Sequence, residues 1–253
     1  MSEEEKFLLK QLLGLSMKAA ARNQILFSDF LNMNEADLFL QHRQEIHTKF
    51  QLYGGYESSE RQMVAFIPDA LSFSERNISY PIICLKASPR HAKFAETLTH
   101  RDVLGACMHL GIERKLLGDI LVKEKESYIF CCKRIAEFLT GELGKIRHTD
   151  ITISICEEEM DAFSPKKEAF QKTVTSVRLD CVVAACCNIS RSEAVRQIAA
   201  KLVFINARNI IKPDYLCAEQ DILSVRGHGK YVLARIHGLS KKGKLRVTLE
   251  KYI

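Results

Sequence analysis

The sequence predicts an α+β protein in three parts, and three observations carry that expectation. Hydrophobic spacing switches between helical and alternating several times along the chain. Charge-dense, Gly-rich or Pro-containing stretches separate those segments. The 253 residues, 47% of them hydrophobic, are enough for two or three small cores. The parts are expected at residues 1–75, a mainly helical N-terminal domain; 76–160, a βαββαβ domain; and 173–253, two short helices followed by strands.

Residues 3–22 predict an amphipathic helix with Phe7, Leu8, Leu12, Leu15 and Ala19 on one face and a basic last turn at Lys18 and Arg22. Asn34, followed by Glu35 and Asp37, predicts the cap of a second helix running through Leu38, Phe39 and Ile46 to about Phe50. The Gly54-Gly55 pair breaks that pattern, and "RQMVAFIPD" reads as a strand stopped by Pro68.

From Tyr80 the order is definite. "YPIICLKA" reads as a strand, and Thr99 caps a helix in "THRDVLGACMHLGI". "LLGDILV" and "SYIFCC" are strands around the charged turn "KEKE", "RIAEFLTGEL" is helical, and "DITISICE" alternates as a strand. This is the split-βαβ, or ferredoxin-like, order, which RNA-recognition motifs share with many domains that bind no RNA. Tyr128 and Phe130, two apart on the third strand, could stack bases or could equally face the core. The run of Gly and aromatics typical of RNA-recognition motifs is absent. Residues 157–172, charge-dense with one proline, read as a linker.

In the third part, Leu179, Val182, Val183 and Cys186 place an apolar stripe on a first short helix, which Asn188-Ile189 ends. Ser190 and Glu193 predict a capping box opening a second helix, with Ala194, Val195, Ile198 and Ala199 as its buried face. Arg178 precedes the first helix and Arg191 begins the second, so both guanidinium groups are expected beside free N–H groups at positive helix ends. A helix start favours acids, so each arginine there costs about a few tenths of a kcal/mol. A rule broken twice in one motif points to phosphate capture. The alternative is that Arg178 pairs with Asp180 or Glu193 and ties the helices together. Ser192 shares the second helix start, Arg196 lies one turn beyond it, and Lys201 and Arg208 flank the strand "LVFIN". Arg226 and Lys230 surround two glycines in "RGHGKY", where backbone could approach an anion closely. "KYVLARIHG" and "KLRVTLEKY" predict a hairpin whose tip, "LSKKGK", displays three lysines or is an ordinary solvated turn.

Composition narrows the function classes. Residues 173–253 hold fourteen Lys and Arg against six Asp and Glu, whereas residues 1–172 hold twenty-three against twenty-five, so the net charge of +6 is entirely C-terminal. That is the footprint of one module holding a polyanion, or of a solvated lysine-rich surface. Nine cysteines without a C-x-x-C pair, two adjacent pairs of them inside apolar runs, fit a reducing cytoplasm. The eight histidines show no metal-ligand spacing, so no metal is expected. No apolar run is long enough to span a membrane, and the acidic start lacks the layout of a secretory signal. No Gly-rich turn is placed to hold a nucleotide cofactor, so no cofactor or small-molecule substrate is expected.

"RLDCVVAACCNISRSEAVRQIAAKLVFIN" followed by "DILSVRG" resembles the RNA-binding domain named after small-subunit ribosomal protein S-four, an αL-type fold of two helices on a short sheet. Lys201 and Ala207 stand where that domain carries turn glycines, so reshaped turns are expected there. "GGYESSERQMVAF", "LTHRDVLGACMHLGIERKLLGDILV", "TVTSVRLD", "VRGHGKY" and "KKGKLRVTLEKY" resemble bacterial YlmH-type RNA-binding proteins in order and nearly from end to end. That resemblance implies a cytoplasmic protein on the large ribosomal subunit, including stalled subunits that hold peptidyl-tRNA. It also implies a role in ribosome-associated quality control, with a link to cell division attached to the family. Ribosomal RNA is then the expected partner, with tRNA as a further one.

Enzyme readings are weaker. His100-Arg101-Asp102 matches a kinase tripeptide in letters only, and Asp102 suits the first turn of a helix. The rival is a pseudouridine synthase, for which Arg178-Leu179-Asp180 supplies the letters of an R-L-D run. Here that run opens a helix of the binding module itself. No nucleophile–base pair or carboxylate dyad is nominated by spacing, and the protein is expected not to be an enzyme.

Overall fold

The computed structural model describes the chain apart from residues 58, 72–77, 157–162, 164, 165 and 240–242. It divides into two compact units, Met1–Ser164 and Pro165–Ile253. Both mix helix and sheet, as an α+β chain should.

Unit 1 opens with α1 (Glu3–Arg22), capped reciprocally by Ser2 and Glu5 and stopped by Asn23 in the left-handed conformation. Its buried face is Leu9, Leu12, Ser16 and Ala19, while Phe7, expected on that face, is exposed. After β1 (Leu26–Phe27) comes α2 (Met33–Gln41). Its cap is Asn32 rather than Asn34, because Glu35 stands three residues after Asn32 and returns the bond: Glu35 N donates to Asn32 Oδ1 at 3.0 Å and Asn32 N to Glu35 Oε2 at 2.6 Å. The helix also stops well short of Phe50, which lies in β2 (Lys49–Tyr53). β2 pairs along its whole length with the fully buried β3 (Met63–Ile67), and β1 takes the other side of β3. The N-terminal residues are mainly helical, as expected, with a three-stranded sheet under α1 and α2 of which β3 alone was read from the sequence. Local spacing loses here to a non-local ladder.

The rest of unit 1 runs β4 (Ile82–Pro89), α3 (His100–His109), β5 (Leu117–Lys123), β6 (Glu126–Cys132), α4 (Lys133–Glu142), β7 (Lys145–Ile146) and β8 (Thr149–Ile155). The antiparallel order β5-β6-β4-β8-β7 is the expected βαββαβ sheet with one short strand added. Thr99 caps α3 with Asp102, so Asp102 of the kinase-like tripeptide is a capping residue. Leu85, Ile129, Cys131 and Ile151 pack under Val103, Cys107 and Leu139 of the two helices. On the opposite face Tyr128 and Phe130 are 3% and 0% exposed. Tyr56 covers Phe130 at 5.0 Å between ring centroids, and Phe163 covers Tyr128 at 4.8 Å. Gly55, at φ +107°, allows this approach, since a Cβ there would lie 2.5 Å from Phe130 Cδ1. Base stacking on Tyr128 and Phe130 is thereby ruled out in this conformation, and the core-facing alternative holds.

A buried polar knot joins residues 56–61 to β5. Asp119 accepts from Tyr56 Oη at 2.7 Å, Glu60 N at 2.7 Å and Arg61 N at 3.1 Å. Arg61 donates in turn to the carbonyls of Leu117 (2.9 Å), Phe30 (3.1 Å) and Arg114 (3.3 Å). Burial, then the nearby Arg114 cation, pull Arg61 down to about 10.

Unit 2 begins with β9 (Lys167–Val174), made from residues expected in a linker. Of its charged residues Glu168 is exposed and Lys167 and Lys172 are half-buried, and it pairs over its full length with the last strand of the chain, from Lys167↔Tyr252 to Val174↔Leu245. Residues 157–162 of that expected linker lie outside the described residues. Then come α5 (Leu179–Cys187), α6 (Arg191–Ala199), β10 (Val203–Ile205), β11 (Arg208–Asn209), β12 (Ile222–Val225), β13 (Gly229–Leu239) and β14 (Leu245–Tyr252). The sheet order is β11-β10-β12-β13-β14-β9. Leu179, Val182, Val183, Cys186, Ala194 and Ile198 pack on Val203, Leu223, Leu233, Val247 and Leu249. Ala199, expected on that face, is exposed. Ser240, Lys241 and Lys242 of the expected lysine tip lie outside the described residues.

The turns around β10 are not reshaped. Lys201 at φ +60° and Ala207 at φ +63° adopt the left-handed conformation that glycine favours. For a residue with a Cβ this costs about 1–2 kcal/mol, against about 0.4–1 kcal/mol that glycine loses through the freer unfolded chain. Ala207→Gly is therefore expected to stabilise unit 2 by about 0.5–1 kcal/mol, seen as a higher urea midpoint.

All nine cysteines are free and eight are buried; burial raises the thiol of Cys131 to about 12 and that of Cys107 to about 11. Among the described residues no helix is long and apolar enough to cross a membrane, and no cluster of three or more His, Cys, Asp or Glu could hold a metal ion.

Candidate nucleic-acid interface

The start of α5 is closed. Arg178 holds the N-cap position with extended backbone and no side-chain cap. The loop before β12 supplies the acceptors instead: Leu179 N donates to Tyr215 O at 2.8 Å and Asp180 N to Pro213 O at 3.0 Å. The free N–H groups expected beside Arg178 are thus already satisfied.

The start of α6 is different. Ser190 Oγ accepts from Glu193 N at 3.1 Å, but the return bond of a capping box is absent because the Glu193 carboxylate pairs with Arg196. Ser192 Oγ lies 2.9 Å from Ser190 Oγ. The N–H groups of Arg191 and Ser192 find no acceptor among the described residues, which leaves a positive helix end for an anion.

Between the two helix starts lies Asp180, 1% exposed. Arg178 reaches it through Nε to Oδ1 and Nη2 to Oδ2, both at 3.3 Å. Arg191 reaches it through Nε at 2.9 Å and Nη2 at 2.8 Å, both to Oδ2. Both arginine side chains remain accessible, at 39% and 56%. Burial pushes the Asp180 carboxyl up, but the bonds from Arg178 and Arg191 outweigh it and hold the group below its ordinary value. Arg191 is raised, chiefly by its bond to Asp180.

One buried anion thus holds two cations, leaving a net positive charge at the surface. A guanidinium carries five N–H donors, and each of these directs only part of its fork at Asp180. The remainder can meet a phosphate without first being ordered. The pairing of Arg178 with Asp180 was the alternative to a binding role, and it is realised. What sequence spacing did not show is that Arg191 shares the same carboxylate. The proximity of Arg178 and Asp180 was legible; the eleven-residue reach from Arg191 was not.

Arg196, with an accessible side chain, is tied to Glu193. Lys201 sits in the turn after α6, its carbonyl accepting from Asn209 Nδ2 at 2.9 Å, and Arg208 is in β11. Arg226 and Lys230 do not join the helix starts. Arg226 lies 5.4 Å from the centroid of Phe204, and Lys230 Nζ lies 4.9 Å from that of Tyr252. The glycines of "RGHGKY" serve the turn itself, Gly227 at φ +83° and Gly229 at φ +111°.

Fold and site describe an α+β chain of two units, one of which displays an anchored arginine pair at a helix start suited to phosphate. Residues 83–160 match the family model described as a putative RNA-binding domain in YlmH. Similarity extends beyond that domain: the chain is 26% identical over 250 residues, 98% of its length and 96% of the relative's, to the ribosome-associated protein quality control protein P2 of Bacillus subtilis (strain 168). A solved structure, the cell division protein ylmH from Streptococcus pneumoniae, matches 62% of this chain and 93% of its own at 26% identity, with a TM-score of 0.48.

Proposed function

We propose that this chain is a non-catalytic, cytoplasmic RNA-binding protein that docks on ribosomal RNA of the large subunit, with tRNA as a further contact, in ribosome-associated quality control of stalled translation. We read residues 173–253 as an S-four-like module and residues 76–160 as the RNA-binding domain that the family match names. The observation that carries the proposal is the pair Arg178 and Arg191 pinned by buried Asp180 beside the unpaired N–H groups of Arg191 and Ser192. Arg196, Lys201 and Arg208 extend the basic surface, and phosphate contacts of this kind set position while shape-dependent contacts elsewhere set specificity. With Tyr128 and Phe130 covered, the first unit contributes through its surface rather than by stacking on its sheet.

The pseudouridine synthase reading needs Asp180 to meet a uridine. A carboxylate 1% exposed beneath two guanidinium groups is badly placed for that.

Arg191→Gln is the test, because glutamate would set a second carboxylate against buried Asp180 and unfold the helix pair. The glutamine variant is expected to lose large-subunit co-sedimentation by about 10- to 100-fold in affinity, the worth of one charge-assisted contact. Wild-type co-sedimentation by that variant would remove the helix pair from the docking surface.

A further inference from the structure

The sheet of unit 2 has a second chemically distinct face. Along β10, β12, β13 and β14, residues Val203, Ile205, Leu223, Val225, Tyr231, Leu233, Val247 and Leu249 face the helix pair. Side chains alternate on a strand, so the residues between them point the other way. One cross-strand row on that far face reads Phe204↔Ser224, Ser224↔Lys230, then Tyr252↔Lys167, with Lys230 and Tyr252 joined by their side chains. Lys167 Nζ lies 5.2 Å from the Tyr252 centroid, opposite in register, and Arg226 lies 5.4 Å from that of Phe204. Phe204, Ser224, Lys230, Tyr252 and Lys167 are all half-buried, and Phe204 and Tyr252 stand outside the core of the unit. One acid, Glu250, shares the face and lies 3.5 Å from Lys167.

The row therefore sets two aromatic rings among three cations and one acid. Phe204 and Tyr252 are three strands apart, about 14 Å at the usual strand spacing. That separation falls within the few nucleotides that single-strand-binding sheets cover. An acidic or apolar peptide would use the charges or the rings; unpaired nucleotides use both, their bases stacking while the phosphates meet the cations. We propose that this face is a second RNA contact, in which Phe204 and Tyr252 stack unpaired bases and Arg226, Lys230 and Lys167 hold the flanking phosphates. It rests on the RNA-binding reading of the chain but uses different residues from the helix pair.

The test uses the full chain and a fluorescent, unstructured RNA of about 12 nucleotides at low salt, read by anisotropy. The double variant Phe204→Leu/Tyr252→Leu, which keeps apolar bulk and removes the π faces, is expected to bind at least tenfold more weakly, the loss of one or more stacked bases. Tyr252→Phe, keeping the ring, should bind as the wild type does, and a wild-type urea midpoint for the leucine variant separates lost stacking from misfolding. Arg191→Gln should weaken oligonucleotide binding less than the leucine variant does while losing subunit co-sedimentation. Wild-type binding by the leucine variant, no binding by the wild type, or an equal loss in Arg191→Gln would each overturn the second contact. If no form of the protein co-sediments with subunits, the broader ribosomal reading fails, and the oligonucleotide result still decides this face.

Discussion

Asp180→Ala is expected to cost unit 2 about 2–3 kcal/mol and to abolish RNA capture in the same step. Removing one partner of a fully buried ion pair costs about 3–5 kcal/mol. Here Arg178 and Arg191 are 39% and 56% accessible and can turn to water, which lowers the figure. Binding suffers more than stability, because the two guanidinium groups lose their common anchor, repel each other and must be ordered again by the RNA. Asp180→Asn keeps the shape and one acceptor and should fall between. The folded-state carboxyl lies below its ordinary value, so its stabilisation is fully present above about pH 4 and is lost as pH falls through the lower folded value. The alanine variant should therefore show a weaker dependence on pH below about 4. Urea unfolding by circular dichroism checks the stability, and an alanine variant with a wild-type midpoint would contradict it.

Asp119→Ala is expected to destabilise unit 1 by about 3–4 kcal/mol. The side chain belongs to a residue 8% exposed and accepts from Tyr56 Oη, Glu60 N and Arg61 N. Each buried donor left unpaired costs about 1–3 kcal/mol, and relaxation recovers part of that sum. The buried Arg61 cation also loses a nearby anion. Tyr56 would then lose its hold above Phe130, so the covered face of the β4–β8 sheet should open. Asp119→Asn retains an acceptor and should cost about 1–2 kcal/mol. A loss below about 1 kcal/mol for the alanine variant, by urea unfolding, would mean that the knot is not what joins residues 56–61 to β5.

What the sequence revealed depended on how local the cause was. Thr99 with Asp102 and the strand–helix alternation from Tyr80 act within a few residues, and the structure places them as expected; Ser190 caps α6 as expected, but without the return bond from Glu193. Asn32 and Asn34 are both plausible caps by residue type, and only the spacing to Glu35 separates them. β9 was hidden because its partner lies about 80 residues away, at Tyr252 for Lys167. The orientation of Tyr128 and Phe130 was undecidable because their cover comes from Tyr56 and Phe163, outside the strand. Arg178 and Arg191 were legible as helix-start cations, but their sharing of Asp180 depends on how α5 and α6 pack. Phe204 and Tyr252 gave no signal alone; they form a row only once the ladder is known.

The most direct measurement is the salt dependence of binding to large-subunit ribosomal RNA by the wild type and by Arg178→Gln/Arg191→Gln. Each phosphate contact contributes about 0.7–0.9 to the log–log slope, so the double variant should be weaker and its slope shallower by about two contacts. Equal affinity and an equal slope would show that the arginine pair anchored by Asp180 does not hold the RNA.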